Sequence, residues 1–202
     1  MPDAKISLVW KNLDPVISQF GLKYHPDVKI SENVRYDLIL VPGGFDCANL
    51  MIDPDIIMWL KEQSESAEYL TSVCTGSLVL AAAGLLNGYS AGCHWAWAEH
   101  LSKFGANPTR GRVVVDRNRI TAGGVTSGID FGLEIVKRRC GRELAEQITL
   151  SLEYDPKPIS GGVPETAKAE TIGRAKNRIS ILNEAGEHIK MIDEAASKLL
   201  LT

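Results

Sequence analysis

E-Y-L-T-S-V-C-T-G-S-L-V-L-A-A-A-G-L-L, residues 68–86, is the stretch whose reading decides the fold. Leu70 to Val73 is a short apolar, β-branched run of the kind that forms a buried strand. Leu78 to Leu86 is hydrophobic all round, as a helix with no wet face must be. A buried strand running straight into a buried helix is half of a parallel βαβ unit. Open sheets of such units carry their chemistry at the carboxyl ends of the strands, and Cys74 stands at that seam. The dipole of the following helix favours an anion, so the Cys74 thiolate is expected to be stabilised, with a lowered pKa and nucleophilic sulfur. The other reading of Cys74 is a small buried hydrophobe.

Working upstream, D-L-I-L-V from Asp37 to Val41 reads as a buried strand ending in Pro42-Gly43-Gly44. Asp53 then caps a helix running to about Ser66, with Pro54 in its first position. Lys5 to Trp10 is strand-like, and Pro15 to Tyr24 reads as two short strands turning near Gln19 to Gly21. Downstream, Tyr89 to Cys93 is a weaker strand candidate, followed by a helix from His94 to Phe104. Val113 to Asp116 and Arg119 to Ala122 form a hairpin through Arg117-Asn118. Thr126 or Ser127 caps a helix to Cys140 with Ile129, Leu133, Val136 and Cys140 on one face, and Gly141 to Tyr154 makes another. Residues 1–155 thus read as one α/β domain, 156–164 as a Pro/Gly linker, and 165–202 as a C-terminal helical tail. In the tail Ile172, Ile179, Leu182, Ile189, Ile192, Ala196 and Leu199 recur near helical spacing, a narrow stripe that packs on its own domain or on a second copy. A homodimer is expected.

A chain of 202 residues is long enough for one sizeable core. Its net charge of −3, with both signs interspersed, offers no stripe for nucleic acid or an anionic membrane. The opening M-P-D-A-K-I-S-L-V-W-K lacks the form of a signal peptide, and the longest apolar run is too short to cross a bilayer. A cytoplasmic protein acting on a small molecule is expected. The four cysteines, Cys47, Cys74, Cys93 and Cys140, and the four histidines, His25, His94, His100 and His188, show no C-x-x-C or Cys/His ligand spacing. Neither a disulfide framework nor a metal site is indicated.

Three glycine turns accompany the cysteine: Gly43-Gly44, Gly76 and Gly123-Gly124. In a doubly wound sheet they reach one edge, where the N–H groups of Gly44 and Thr75 are expected to converge beside the Cys74 sulfur as an oxyanion pocket. Gly123-Gly124-Val125-Thr126 lacks the G-x-G-x-x-G and Walker patterns, which argues against phosphate binding. His94, in C-H-W-A-W, either approaches the cysteine from the same edge or is a capping or core histidine. Thr75 either turns its hydroxyl to the substrate or caps the helix. Asp46 is the nearest acidic candidate for proton transfer, and its alternative is an ordinary solvated loop residue. Trp95 and Trp97 read as packing.

S-V-C-T-G-S-L-V-L-A-A-A-G-L-L at 72–86, C-H-W at 93–95, R-V-V-V-D-R-N-R-I-T-A-G-G-V-T-S-G-I-D-F-G-L at 112–133 and L-E-Y-D-P-K-P at 152–158 together resemble the DJ-1/PfpI superfamily. Within it the chain is most similar to the isocyanide (isonitrile) hydratases, along essentially its whole length. Amidase-like domains of transcription regulators share similar blocks. The resemblance implies a flavodoxin-like three-layer sandwich with a mostly parallel sheet. It also implies that Cys74 is the nucleophile on an elbow, with Thr75 beside it and Gly123 to Val125 lining the pocket. His94 matches a histidine near the cysteine of several relatives, and no cofactor is required. In such a hydratase the thiolate attacks the isocyanide carbon, and water hydrolyses the resulting thioimidate to an N-substituted formamide.

The family's first βα unit, which carries the carboxylate that works with the cysteine, has no counterpart ahead of Lys5 to Trp10. A domain incomplete at its N-terminal side, a sheet lacking that strand and little hydratase turnover are therefore expected of these residues. Ala122 replaces a frequent third glycine, and Gly92-Cys93 replace two threonines common before the histidine. The alternatives are a glyoxalase or amidase-like enzyme of the same superfamily, or a catalytically impaired, redox-responsive dimer.

Overall fold

The computed structural model describes residues 3–18, 20–182 and 185–200, with 182 and 185 as backbone alone. Met1, Gln19 and the side chain of Leu182, which figure in the expectations above, lie outside the described set. In chain order the elements are β1 (Val9–Trp10), β2 (Val16–Ile17), β3 (Lys23–Tyr24), β4 (Val28–Lys29), a 3-10 turn (Ile30–Glu32), β5 (Leu38–Val41), α1 (Cys47–Met51), α2 (Pro54–Ser64), β6 (Tyr69–Val73) and α3 (Gly76–Ala82). There follow β7 (Ser90–Ala91), a 3-10 helix (Ala98–Phe104), β8 (Asn107–Pro108), β9 (Val113–Asp116), β10 (Arg119–Ala122), α4 (Ser127–Cys140), α5 (Arg142–Ser151), α6 (Ala169–Leu182) and α7 (Ala185–Leu199).

The main sheet has the order β5-β6-β10-β9. β5, β6 and β10 run parallel, with Ile39 opposite Leu70 and Thr121 opposite Ser72, and β9 closes the edge antiparallel to β10 through the expected hairpin. Side chains alternate across this sheet because successive residues of a strand face opposite ways. Ile39, Val41 and Leu70 join a core with α1, α2, α3, the 3-10 helix and α7. Leu38, Tyr69, Val73, Ile120 and Ala122 meet Phe131 and Ile135 of α4 on the other face. The result is the expected three-layer α/β sandwich with its C-terminal helices. Thr71 lies fully inside it without an orphaned polar atom, because its hydroxyl donates to the Ile39 carbonyl at 2.8 Å.

Several elements differ from the expectations. Helix α3 ends at Ala82 rather than Leu86, since Gly84 turns into the left-handed region at φ +77. The helix expected from His94 is a 3-10 helix beginning at Ala98. In α4 the core-facing positions are Ser127, Phe131 and Ile135, whereas Ile129 and Cys140 are exposed. The tail is two helices, α6 and α7, rather than one; α7 buries Ile192, Ala195 and Ala196 in the main core against α1, α3 and the 3-10 helix, and α6 adds Ile179 at its margin.

At the N-terminal side the sheet divides. β1 pairs in parallel with β4 alone, as a separate two-stranded piece. Among the described residues no strand lies along the outer edge of β5. Leu40 of β5 is 44% exposed.

Candidate active site

Strand β6 delivers Cys74 to the carboxyl edge of the sheet, where its N–H still donates to the Ala122 carbonyl at 3.0 Å. The chain then reverses at once into α3, with Cys74 at φ +61. For a residue with a Cβ this conformation costs roughly 1–3 kcal/mol and persists only where the surroundings enforce it. Two glycines do so. A Cβ on Gly76 would lie 2.1 Å from the Val41 carbonyl oxygen, so only glycine lets α3 begin directly beneath the end of β5. A Cβ on Gly43 would lie 2.6 Å from the Cys74 Cβ and 3.1 Å from its Sγ. Gly43 is therefore the floor against which the thiol rests.

Thr75 ties the two strand ends together. Its Oγ1 accepts a hydrogen bond from the Gly44 N–H at 3.0 Å and donates to the Gly44 carbonyl at 3.0 Å. The Gly44 N–H is thus turned to Thr75, not to the sulfur as the sequence suggests. Burial pushes the Cys74 thiol above its ordinary value, while the backbone N–H and hydroxyl of Thr75 pull the other way. The expected lowering is accordingly not found: α3 is only seven residues long, and the sulfur is mostly buried in front of it. Two further thiols sit nearby. Burial pushes Cys47, which reaches the Thr75 hydroxyl, up to about 11, and raises Cys93 further.

His94 stands beside Gly124, its Nδ1 accepting from the Ala96 N–H at 3.3 Å. Burial lowers its pKa, so the ring is neutral with its proton on Nε2. No hydrogen bond joins it to Cys74 among the described residues. Asp46 is the exposed residue ahead of α1 and makes no capping hydrogen bond; its charge acts on Cys47 rather than on Cys74. Gly123 is buried against the Gly111 carbonyl, whereas Val125 is 79% exposed.

A network that sequence reasoning missed braces this last turn. The Arg112 carbonyl accepts from the Gly123 N–H at 3.0 Å, while its guanidinium donates to Asp130 Oδ2 at 2.6 and 2.9 Å and to the Tyr154 hydroxyl at 3.0 Å. Tyr154 in turn donates to Asp130 Oδ2 at 2.8 Å. The guanidinium and phenol hold the Asp130 carboxylate below its usual range. Their separation in sequence, spanning 112 to 154, hides the cluster from any local pattern.

Thr75 also borders a narrow cleft of about 20 Å³, space for one water-sized group. It is lined by Gly44, Phe45, Cys47, Ala48, Met51, Thr75 and Leu78 together with Trp97 and, from α7, His188 and Ile192. His188 was not singled out by the sequence. The usable signal is its place four residues before Ile192, on the buried face of α7. Among the described residues no group of three or more His, Cys, Asp or Glu side chains is arranged to hold a metal ion, and no helix is long and apolar enough to cross a membrane.

Comparison with known proteins matches this architecture. The isonitrile hydratase of Pseudomonas putida is 43% identical over 179 residues, 88% of this chain and 78% of that protein. A THiJ/PfpI family protein from Pseudomonas syringae superimposes with a TM-score of 0.84 at 40% identity, over 95% of this chain and 78% of that one. The glutathione-independent glyoxalase DJR-1.2 of Caenorhabditis elegans is 30% identical over 132 residues, 64% of this chain and 70% of that protein. The pattern of the DJ-1/PfpI family covers residues 2–138, the span that contains the elbow, the glycine turns and the sheet around them, and the chain belongs to the DJ-1/PfpI family.

Proposed function

We propose that this chain is a cysteine-dependent hydratase that adds water to an isocyanide to give an N-substituted formamide. The observation that carries this reading is Cys74 held at φ +61 on the elbow, with Sγ against Gly43 and the Thr75 N–H, in a chain 43% identical to an isonitrile hydratase. A thiolate is a soft nucleophile suited to the terminal isocyanide carbon. The C–S bond forms there and a proton adds to the same carbon, giving a thioimidate on Cys74. Water then adds to that carbon and a proton reaches nitrogen. The C–S bond breaks, releasing the formamide and regenerating the thiolate.

Among the described residues no carboxylate touches the sulfur, so the proton steps fall to water and the Thr75 hydroxyl, and turnover is slow. The sequence favours a homodimer, which we carry as part of this proposal; light scattering on the eluting protein is expected to give a dimer mass, and a monomer mass contradicts it.

The direct test follows formamide release from cyclohexyl isocyanide. The chain is expected to form it and Cys74→Ala to form none; no product from either overturns the substrate assignment. The glyoxalase relative supplies a second arm, in which lactate from methylglyoxal together with no formamide favours that chemistry.

A further inference from the structure

We infer that Tyr154 is a positioning residue for the nucleophile, holding through Arg112 and Asp130 the turn that follows β10 beside the Cys74 elbow. This rests on the hydratase reading above, and it gives work to the L-E-Y-D-P-K-P block at 152–158, which the reaction as drawn leaves unused.

Tyr154 lies just beyond α5, where the chain passes through Glu153 at φ +47. A residue with a side chain stays in that left-handed region only where its surroundings enforce it. Here the Tyr154 N–H donates back to the Thr149 carbonyl at 3.2 Å, and the phenol reaches across to Arg112 and Asp130. Three donors, Arg112 Nε, Arg112 Nη2 and the Tyr154 hydroxyl, converge on the single oxygen Asp130 Oδ2 at 2.9, 2.6 and 2.8 Å. Asp130 belongs to the first turn of α4, and Arg112 Nη2 also reaches the Thr126 hydroxyl at 3.4 Å. The phenol therefore locks the guanidinium against the start of α4.

Arg112 holds the other end of the same turn with its backbone. Its carbonyl accepts from the Gly123 N–H, and the residue before Gly123, Ala122, accepts the Cys74 N–H, both at 3.0 Å. The residues from Gly123 to Thr126 are thus gripped at both ends by one arginine, next to the strand bond that sets the elbow. Inside the turn Gly124 passes close to His94, where a Cβ would lie 3.9 Å from the ring Cδ2. A partly exposed ion pair of this kind adds little to stability. Geometry is the more sensitive quantity, because a misplacement of about 1 Å at a reacting atom can cost about 100-fold in rate. Loss of the phenol hydroxyl is therefore read in the chemistry of Cys74 before it is read in unfolding.

The experiment compares the unaltered chain with Tyr154→Phe and Asp130→Asn. With cyclohexyl isocyanide, Tyr154→Phe is expected to lower kcat about tenfold and to change KM by less than about twofold, while the urea midpoint stays in place. Asp130→Asn is expected to give a similar loss, and the double variant no further loss, because both act through one guanidinium. An unchanged kcat in Tyr154→Phe, with or without a lower urea midpoint, marks the brace as a stability device and overturns the inference. A second readout needs no turnover. Burial holds the Cys74 thiol above its ordinary value of 9.0, so a loosened turn that admits water is expected to bring the midpoint of iodoacetamide alkylation down toward that value. Alkylation at pH 8 is then expected to quicken several-fold, and a profile identical with that of the unaltered chain counts against the brace. Should the unaltered chain form no formamide, the hydratase reading fails, while the alkylation profiles still decide whether Tyr154 positions Cys74.

Discussion

Cys74 is legible as a candidate from its position between an apolar strand and an apolar helix, but its electrostatics are not. A helix N-terminus argues for a lowered pKa, whereas the depth of the sulfur, which depends on Gly43 and on the neighbouring strand ends, raises it. Alkylation of Cys74 by iodoacetamide is therefore expected to rise with pH to a midpoint above 9.0, the ordinary thiol value. Thr75→Val, which removes a hydroxyl that favours the thiolate, moves that midpoint higher; a midpoint below 9.0 in the unaltered chain contradicts the burial argument. The two adjacent glycines also separate at this scale. Gly43→Ala forces its new methyl into Cys74 and Thr75 and is expected to cost about 1–3 kcal/mol in urea denaturation. At Gly44 a Cβ meets nothing within 4 Å and φ is not positive, so Gly44→Ala is expected to stay within about 0.5 kcal/mol. The sequence shows Gly-Gly at both positions, and only the approach of a second strand end distinguishes them.

Elements in the sheet are the more readable part, because short runs rich in apolar and β-branched residues, such as Leu38 to Val41 and Val113 to Val115, leave few options. β5, β6, β9 and β10 all lie within a residue of their expected limits. Helix phase is less readable. In α7 both Ile189 and His188 lie within a turn of Ile192, and apolar periodicity favours the isoleucine, yet Ile189 is 38% exposed and the histidine faces the cleft. In α4 the same ambiguity places Phe131 and Ile135 inward in place of Ile129. Packing contacts from other elements select between two nearly equivalent faces, and they are absent from a local pattern. The phase of α7 has a measurable consequence. Ile192, at 1% exposure, is expected to cost about 2–5 kcal/mol on replacement by alanine, whereas Ile189→Ala changes urea stability by no more than about 0.5 kcal/mol. Equal losses at the two positions contradict this helix orientation.

Taken as a whole molecule, the layered α/β architecture and the site at the strand ends follow from the alternation of apolar strands and helices, while the Arg112–Asp130–Tyr154 brace and the cleft that Trp97 and His188 help to line arise only when distant segments meet. Stability should also report the clustered thiols. Cys47 and Cys93 have folded pKa values raised by burial. Their contribution is fully present below the ordinary thiol value of 9.0 and is lost as pH rises through the folded values, about 11 for Cys47. For Cys47 alone the loss is on the order of 2–3 kcal/mol. Urea midpoints are expected to hold level from pH 7 to 8.5 and to fall from pH 9 to 11; a midpoint that rises over that range contradicts the burial of these thiols.

The nucleophilic role of Cys74 is the claim on which the functional account depends, and intact-protein mass spectrometry after mixing with cyclohexyl isocyanide tests it most directly. Because no carboxylate shifts the Cys74 thiol among the described residues, hydrolysis of the proposed thioimidate is expected to be slow and the adduct to accumulate. The account predicts a mass increase equal to one isocyanide, mapped by peptide fragmentation to Cys74 and absent from Cys74→Ala. An unmodified Cys74, or an adduct of equal yield in the alanine variant, would contradict it.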